Sequence, residues 1–189
     1  MRIAGVVLAG GESRRMGFAK LLLRHRGQSL LARAVATAAQ VCDAVWVVVG
    51  AYPRRYGTEA KAAGAEVVVN PDWDEGLASS LRRGVEALSP EYGVAFILLA
   101  DQPFVEKGHL EALLERHLTD GCDLVLSRYE GVLGAPALVH RSLFPQLLAL
   151  QGDRGARALT RAASLVGEVL LRNPQDVDSP EDAETWLEP

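Results

Sequence analysis

The chain has 189 residues, of which 49% are hydrophobic and 23% are charged, and its formal net charge is −4. This length and composition predict one globular domain over residues 1–189 and exclude fibrous and disordered proteins. The mildly acidic balance lacks the positive field that non-specific nucleic-acid binding requires, so any phosphate site must be local.

No hydrophobic segment approaches the length of a membrane span, and the short apolar start leads into Gly10-Gly11-Glu12 instead of a small-residue cleavage site. Cys42 and Cys122 lie far apart and outside any C-x-x-C pair, which favours buried free thiols over a disulfide or a zinc site. We therefore expect a cytoplasmic protein without a membrane partner.

Short β-branched segments alternate with longer segments of helical periodicity, which is the rhythm of βαβ units. The predicted strands are Ile3–Ala9, Val45–Val49, Glu66–Val69, Val94–Leu99, Leu124–Ser127, Ala137–His140 and Val166–Leu171. The predicted helices are Leu30–Gln40, Arg55–Ala63, Ser80–Leu88, His109–Leu118, Gly155–Ala163 and a last one that begins at the Ser179-Pro180 capping signal. The pattern predicts an α/β fold of the Rossmann-like, doubly wound class, with a mostly parallel sheet and helices on both faces. It does not predict the strand order.

Ligands of such folds bind outside the carboxyl ends of the strands, which directs attention to residues 8–20. This loop is not a Walker A motif, because two residues separate Gly17 from Lys20, and the adjacent Gly10-Gly11 does not fit the dinucleotide fingerprint. Paired glycines still let backbone N–H groups approach a phosphate, while Arg15 and Lys20 supply positive charge. A tight turn with solvated arginines is the structural alternative.

Acidic residues follow two further predicted elements. Asp101 comes directly after the apolar run Phe96–Ala100, and a carboxylate at the end of a buried strand is costly unless it is paired. Mg²⁺ commonly takes one or two protein carboxylates together with substrate phosphates, so Asp101 is a candidate Mg²⁺ ligand; capping of the next turn is the alternative. Asp178, on the same side of an extended chain as Asp176, is a second candidate, although acids beside a helix N-terminus need no metal.

Two more segments carry polar residues near predicted helix starts. In Asn70–Leu81, Ser79 or Ser80 would ordinarily serve as a helix N-cap. Residues 152–157 form a basic turn bracketed by glycines, which could cradle an anion or be a solvated turn.

Several of these motifs together resemble one family. The string Leu-Ala-Gly-Gly-x-Ser-x-Arg-Met-Gly-x-x-Lys at residues 8–20 resembles the signature loop of the molybdenum-cofactor nucleotidyltransferases. Asp101-Gln102-Pro103 and the closing Asp-x-Asp-x-Pro-Glu-Asp phrase at residues 176–182 are similar to further motifs of that family, in the same order. The Asn-x-x-Trp-x-x-Gly-x-x-x-Ser-Leu segment from Asn70 and the Gly-Asp-x-Gly-Ala-Arg segment from Gly152 are similar to its cytidylyl branch.

The resemblance implies the fold of the nucleotide-diphospho-sugar transferases and a role for each matching residue. It assigns the nucleotide to Leu8, Ala9, Gly10, Gly11, Lys20, Asn70, Ser79 and Ser80. It assigns catalysis to Arg15, Lys20 and Asp101, the Mg²⁺ ion to Asp101 and Asp178, and the acceptor to Arg154 and Arg157. The implied partners are an NTP and molybdopterin, with transient contact to proteins that mature molybdoenzymes.

The implied reaction is attack by the phosphate of molybdopterin on the α-phosphorus of the NTP, with release of pyrophosphate. A phosphate monoester, whose second pKa is about 6, is already anionic at neutral pH, so no general base is required. Alternatives are another phosphorylated acceptor, such as a sugar 1-phosphate, or a nucleotide-binding regulator without activity. The complete set of Arg15, Lys20, Asp101 and Asp178 argues against a regulator, and the missing dinucleotide fingerprint argues against hydride transfer.

The choice of base is divided between the two branches. The segments from Asn70 and Gly152 are similar to the cytidylyl branch, whereas Gly10 matches the guanylyl branch and Ala135 replaces a larger polar residue. A glycine leaves room for a larger base without selecting it, so we give the Asn70–Leu81 segment more weight and expect CTP over GTP. On this view Gly10→Ala should sharpen the preference for CTP.

Overall fold

The fold is described from a computed structural model that covers residues 1–13 and 15–188. Its strands are β1 (Arg2–Ala9), β2 (Arg24–His25), β3 (Gln28–Ser29), β4 (Ala44–Val49), β5 (Glu66–Val69), β6 (Tyr92–Leu99), β7 (Leu124–Tyr129), β8 (Val132–His140) and β9 (Val166–Leu170). Its α-helices are α1 (Leu30–Ala39), α2 (Pro53–Ala62), α3 (Leu77–Glu86), α4 (Lys107–Asp120), α5 (Phe144–Leu148) and α6 (Pro180–Trp186). Short 3₁₀ helices occupy Lys20–Leu22, Trp73–Glu75, Arg141–Leu143 and Ala156–Arg161.

Seven of these strands form one sheet in the order β5-β4-β1-β6-β8-β7-β9, and β2 with β3 forms a separate hairpin. The pairs β1–β4, β1–β6, β4–β5 and β7–β9 are parallel. Strand β8 runs antiparallel to both β6 and β7. The predicted mostly parallel sheet is therefore confirmed.

Side chains cover both faces of the sheet. Val6 and Val7 of β1 are fully buried and point to opposite sides. Val7 packs in the cluster that contains Leu31 of α1 and Leu113 of α4, whereas Val6 packs in the cluster that contains Leu81 of α3. Burying one such side chain contributes about 1.5–3 kcal/mol. Helices therefore lie on both faces, as the near-continuous apolar strands predicted.

Several features differ from the sequence-based expectation or were not predicted. The segment expected to be a helix from Gly155 to Ala163 is a 3₁₀ helix over Ala156–Arg161, and its buried residues Ala156 and Leu159 are three positions apart, which suits three residues per turn. Helix α5 and the β2–β3 hairpin were not predicted, because both are shorter than the periodic windows that reveal them. The start of α6 is confirmed, with Ser179 and Asp182 forming a capping box.

The strand order places the candidate loops together. The chain leaves β1 for β4 and β5 on one side and returns at β6 on the other, so the crevice beyond β1 is the topological switch point of the sheet. The loops after β1, β5 and β6 meet at that edge. Every helix in the described residues is too short or too polar to reach across a lipid bilayer.

Candidate active site

The centre of the site is the Lys20 ammonium, which lies between two carboxylates beyond the end of β6. Lys20 Nζ donates to Asp101 Oδ2 at 2.8 Å, to Asp178 Oδ1 at 2.7 Å and to the Val177 carbonyl at 2.8 Å. Burial works to lower the pKa of Lys20, but the Asp101 and Asp178 carboxylates outweigh it and hold that pKa above its usual value. The lysine is therefore charged at neutral pH.

Backbone contacts hold this cluster in place. The Val177 N–H donates to the Asp101 carbonyl at 3.0 Å, and the Val177 side chain is fully buried. One residue later, the N–H groups of Asp178 and Ser179 donate to the Asp182 carboxylate at 3.0 and 2.8 Å. The segment before α6 is thus fixed against the end of β6, although the two lie far apart in the sequence.

Asp176 adds negative charge that the cluster does not neutralise. Its Oδ1 atom and both polar ends of the Gln102 amide are buried without a hydrogen-bond partner in the part of the chain that the structure describes. Burial, followed by the nearby Asp101 carboxylate, raises the pKa of Asp176 to about 6. One ammonium therefore faces two carboxylates directly, with a third close by.

The donor set fits a divalent cation. Asp101 and Asp178 approach the same Nζ atom, so the two carboxylates converge on one point. Hard cations such as Mg²⁺ take one or two protein carboxylates and complete their shell with water and phosphate oxygens. Within residues 1–13 and 15–188 there is no cluster of three or more His, Cys, Asp or Glu side chains that could hold a metal.

Two cavities adjoin this cluster and together contain most of the predicted site residues. The first, of about 300 Å³, is lined by residues including Leu8, Ala9, Gly11, Arg15, Lys20, Asp101 and Asp178. The second, of about 540 Å³, is lined by residues including Gly10, Gly11, Trp73, Gly76, Ser80 and Asp153. Both cavities share Leu8, Gly11 and Asp101. The structure thus brings the glycine loop, the two cations and both carboxylates to one place.

Asn70 and Ser79 are placed differently from Ser80. Asn70 is 1% exposed, and its Nδ2 donates to Ser79 Oγ at 2.9 Å and to Ser80 Oγ at 3.1 Å. Ser79 Oγ donates in turn to the Gly76 carbonyl at 2.8 Å. Ser80 lines the second cavity, where its hydroxyl is held by Asn70, whereas the Asn70 and Ser79 side chains bond within the protein. Gly76, with φ 109°, occupies the N-cap of α3, so neither serine is the N-cap that the sequence suggested.

Gly10 does not provide the space that the sequence suggested. A Cβ atom at this position would lie 2.7 Å from Ser80 Oγ. The space belongs to the serine hydroxyl, so the expectation that Gly10 makes room for a larger base is corrected. Trp73 packs over the neighbouring Gly50, whose missing Cβ would meet both Trp73 and the Gly10 carbonyl.

The two ends of the turn at residues 152–157 contact different parts of the protein. The Gly152 carbonyl accepts from the Ala78 N–H of α3 at 2.9 Å. Arg157 lines a third cavity of about 220 Å³ with Tyr129 and several leucines. Arg154 is exposed and is not among the residues that line these three cavities. The following element is a short 3₁₀ helix and not the predicted α-helix, and binding of an anion by this turn stays a prediction.

The structure also brings groups to the site that sequence reasoning missed. The Val177 carbonyl contacts Lys20, but a backbone oxygen carries no residue-specific signal. Asp153 lines the second cavity and Tyr129 the third. Asp153 stood inside a recognised motif, whereas nothing in the sequence around Tyr129 distinguished it.

Family comparison identifies the class of protein. Residues 5–168 match the family model described as the MobA-like NTP transferase domain. An NTP transferase accounts for a glycine loop, a lysine and two carboxylates at the switch point of a doubly wound sheet. The protein is therefore an α/β nucleotidyltransferase, and the chain belongs to the MobA-like family, as the resemblance to molybdenum-cofactor enzymes predicted.

Relatives extend over most of the chain. The purine catabolism protein PucB of Bacillus subtilis is 31% identical, with 95% of this chain and 93% of that protein covered. The molybdenum cofactor cytidylyltransferase of Escherichia coli is 26% identical, with 94% and 91% covered. The molybdenum cofactor guanylyltransferase of Rhodobacter capsulatus is 35% identical, with 60% and 58% covered. Relatives named for either base are thus present.

Solved structures agree with the fold. Rv0371c of Mycobacterium tuberculosis is 29% identical and superposes with a TM-score of 0.86 over all of both chains. Its complex with manganese is 27% identical, with a TM-score of 0.82 and coverage of 99% and 98%. CMP:2-keto-3-deoxy-manno-octonic acid synthetase, 16% identical with a TM-score of 0.76, shares the fold over 98% of this chain and 96% of its own. The nucleotide-diphospho-sugar transferase type of fold is confirmed.

Proposed function

We propose that this nucleotidyltransferase transfers CMP from CTP to the phosphate of molybdopterin, with Mg²⁺ as the cofactor and pyrophosphate as the second product. The observation that carries the proposal is the convergence of Asp101 and Asp178 on Lys20 Nζ at a cavity that also contains Arg15 and the glycine loop. The molybdenum-cofactor relatives support the acceptor. The manganese complex of a structural neighbour supports a divalent cation.

Lys20 and Arg15 would bind the triphosphate. The exposed Arg15 guanidinium can donate two parallel hydrogen bonds to phosphate oxygens, and the Lys20 ammonium supplies a compact positive charge. Because Lys20 already bonds both carboxylates, contact with phosphate requires it to give up at least one of these bonds. The raised pKa of Lys20 keeps it charged for that role.

Asp101 and Asp178 would hold the Mg²⁺ ion. When bound there, the ion would neutralise charge that develops on the phosphates. The attacking phosphate of the acceptor is already anionic near neutral pH, so the described residues would act by positioning and charge neutralisation.

CTP is the proposed donor because the segment from Asn70 to Leu81 is similar to the cytidylyl branch, and because a cytidylyltransferase relative matches 94% of the chain. The alternative donor is GTP, which is favoured by the guanylyltransferase relative and by the match of Gly10 to the guanylyl branch. Contact with proteins that mature molybdoenzymes stays a prediction.

Pyrophosphate release from CTP, GTP, ATP and UTP, with and without molybdopterin and in the presence of Mg²⁺, tests the proposal. We expect pyrophosphate release that depends on molybdopterin in the parent protein and that is largely lost in the D101N variant. Replacing the Asp101 carboxylate by an amide should lower kcat/KM by about 10²–10³-fold, whereas D120N, in an exposed pair with Arg116, should not change it. Near-native turnover by a folded D101N variant would remove Asp101 from the metal site. The absence of molybdopterin-dependent release with every NTP would refute the proposed function.

A further inference from the structure

The three charged residues at the centre of the site lie on three different segments of the chain. Lys20 begins the 3₁₀ helix before the β2–β3 hairpin, Asp101 follows β6, and Asp178 precedes α6. Lys20 bonds both carboxylates, and it must give up at least one of these bonds to contact a phosphate. Other contacts must then keep the two carboxylates side by side.

The buried His25 of strand β2 contacts the segments that carry both carboxylates. It is 1% exposed. Its Nδ1 atom accepts from the Glu188 N–H at 3.0 Å, and its ring packs edge-on against the Phe104 ring, with the two centroids 5.5 Å apart. Phe104 follows shortly after Asp101, and Glu188 lies just beyond α6. One imidazole thus connects the end of β6 with the end of α6.

The neutral form of His25 suits the bond to Glu188. Burial, followed by the nearby Arg33 and Arg26 guanidinium groups, lowers the pKa of His25 below its usual 6.5. The ring is therefore neutral at pH 7. Because Nδ1 accepts from a backbone N–H, the ring proton resides on Nε2.

Asp178 is held on both sides by the chain around it. On one side, the Val177 side chain is fully buried, and its N–H donates to the Asp101 carbonyl. On the other side, the Asp178 N–H donates to the Asp182 carboxylate in the first turn of α6. Asp178 therefore moves with α6. None of the residues of α6, all of which the structure describes, is buried, so the position of this helix depends on what holds its far end.

The β2–β3 hairpin holds that far end. Besides the bond to His25, the Arg26 N–H donates to the Glu188 carbonyl at 2.7 Å. The Arg26 guanidinium also donates to the Glu188 carboxylate at 2.9 and 3.2 Å. Both of these side chains are 62% exposed, and an exposed ion pair contributes little. The bonds to the Glu188 backbone, of which His25 makes one, therefore carry most of the attachment.

We propose that His25 is a positioning residue for the Asp178 carboxylate. By accepting from the Glu188 N–H, it fixes the far end of α6 and so keeps Asp178 beside Asp101 while Lys20 turns to a phosphate. The inference rests on the proposed function, because it takes the two carboxylates as ligands of a divalent cation.

E188P tests this role, because it removes the N–H that His25 accepts and leaves the imidazole in place. Leu187, with φ −94° and ψ 131°, already has the extended conformation that a following proline requires. E188A is the matched control, since it also lacks the carboxylate but keeps the N–H. H25F is a second variant, which retains an aromatic ring against Phe104 and lacks the acceptor. Each change is made in the parent and in K20M, in which no ammonium holds Asp178.

Calorimetric titration of Mn²⁺ measures the effect on the cation site. In K20M, both E188P and H25F should bind Mn²⁺ about three- to tenfold more weakly, as expected for one lost hydrogen bond, whereas E188A should stay within about twofold. In the parent, where Lys20 holds Asp178 until the cation arrives, E188P should cost less than about twofold. A general loss of stability would not depend on Lys20. Equal weakening in both backgrounds, or equal weakening by E188P and E188A, overturns the positioning role.

Amide hydrogen exchange, followed by NMR, tests the same role without a cation. In K20M, E188P should speed exchange of the Asp178 and Ser179 N–H groups about three- to tenfold relative to E188A. The same exchange rates in both variants overturn the inference. If neither the parent nor K20M binds Mn²⁺, the metal site of the proposed function is refuted instead, and hydrogen exchange alone then decides whether His25 positions Asp178.

Discussion

Replacing Lys20 with methionine separates the structural role of its ammonium from its proposed role on phosphate. The new side chain is also unbranched and of similar length, but it lacks the charge and all three donated hydrogen bonds. Asp101, Asp178 and the Val177 carbonyl are then left facing one another without a cation. We expect a less stable protein that binds divalent cations more tightly.

The loss of stability follows from the exposure of each pair. The Lys20 and Asp101 side chains are 10% and 23% exposed, so their charged hydrogen bond is worth about 1.5–3 kcal/mol. Asp178 is 48% exposed, and its pair with Lys20 is worth about 0–1 kcal/mol after solvent screening. K20M should therefore lower the free energy of unfolding by about 1.5–4 kcal/mol, or Tm by about 3–16 °C.

The assay combines thermal unfolding with calorimetric titration of Mn²⁺ in the absence of nucleotide. K20M should bind Mn²⁺ about tenfold more tightly than the parent, or ~1.4 kcal/mol, because no ammonium competes for Asp101 and Asp178. K107M is the control for stability, since Lys107 and Glu111 form an exposed pair at 2.8 Å that is worth about 0.3–0.5 kcal/mol.

Two results would refute this reasoning. If K20M costs no more stability than K107M, the ammonium does not hold the cluster together. If the parent binds Mn²⁺ as tightly as K20M, Lys20 does not occupy the place of the cation.

Three further predictions concern single residues. K20R should lower kcat/KM for pyrophosphate release by about two to three decades, because a planar guanidinium cannot replace a point charge. A value within a few-fold of the parent would remove Lys20 from the proposed phosphate site. Burial raises the pKa of Cys42 from 9.0 to about 12, so the thiol ionises first in the unfolded chain, and stability that is present below pH 9 should fall as the pH rises toward 12. The C42A variant should therefore show a weaker dependence of the urea midpoint on pH between pH 8 and 10. The same pH dependence in C42A and in the parent would contradict burial of Cys42 as the cause. Burial lowers the pKa of His109 below its usual 6.5, and its Nε2 lies 2.7 Å from Ser127 Oγ. Stability that is present above pH 6.5 should therefore be lost as the pH falls below it. If the urea midpoint of an H109Q variant falls as much as that of the parent from pH 7.5 to 5.5, His109 is not the cause of the loss.

The strands could be predicted because a short stretch of sequence shows which of their faces are buried. A run such as Val6-Val7-Leu8 is apolar at every position only when both faces of the sheet are covered. The Ser179 capping box is equally local, because its partner Asp182 is three residues away. The order β5-β4-β1-β6-β8-β7-β9 depends on crossovers between distant segments, and no local pattern records it. The 3₁₀ helix at Ala156 was mistaken for an α-helix because buried positions three apart suit both.

The site was predictable to the extent that it consists of side chains in motifs. Lys20, Asp101 and Asp178 were singled out from the sequence and meet in one cluster. The Val177 carbonyl was not, since any residue can supply a backbone oxygen. Asn70 shows a different limit of prediction from the sequence. An asparagine in a motif does not indicate whether its amide contacts a ligand or, as here, donates from a buried position to two serines.

Competition between nucleotides tests the central claim most directly. The protein is incubated with molybdopterin, Mg²⁺ and equal concentrations of CTP and GTP, and the dinucleotide product is identified by mass spectrometry while kcat/KM is measured for each nucleotide alone. We predict that the cytosine dinucleotide predominates and that kcat/KM is higher for CTP. A GTP value equal to or above that for CTP, with the guanine dinucleotide as the main product, would contradict the account.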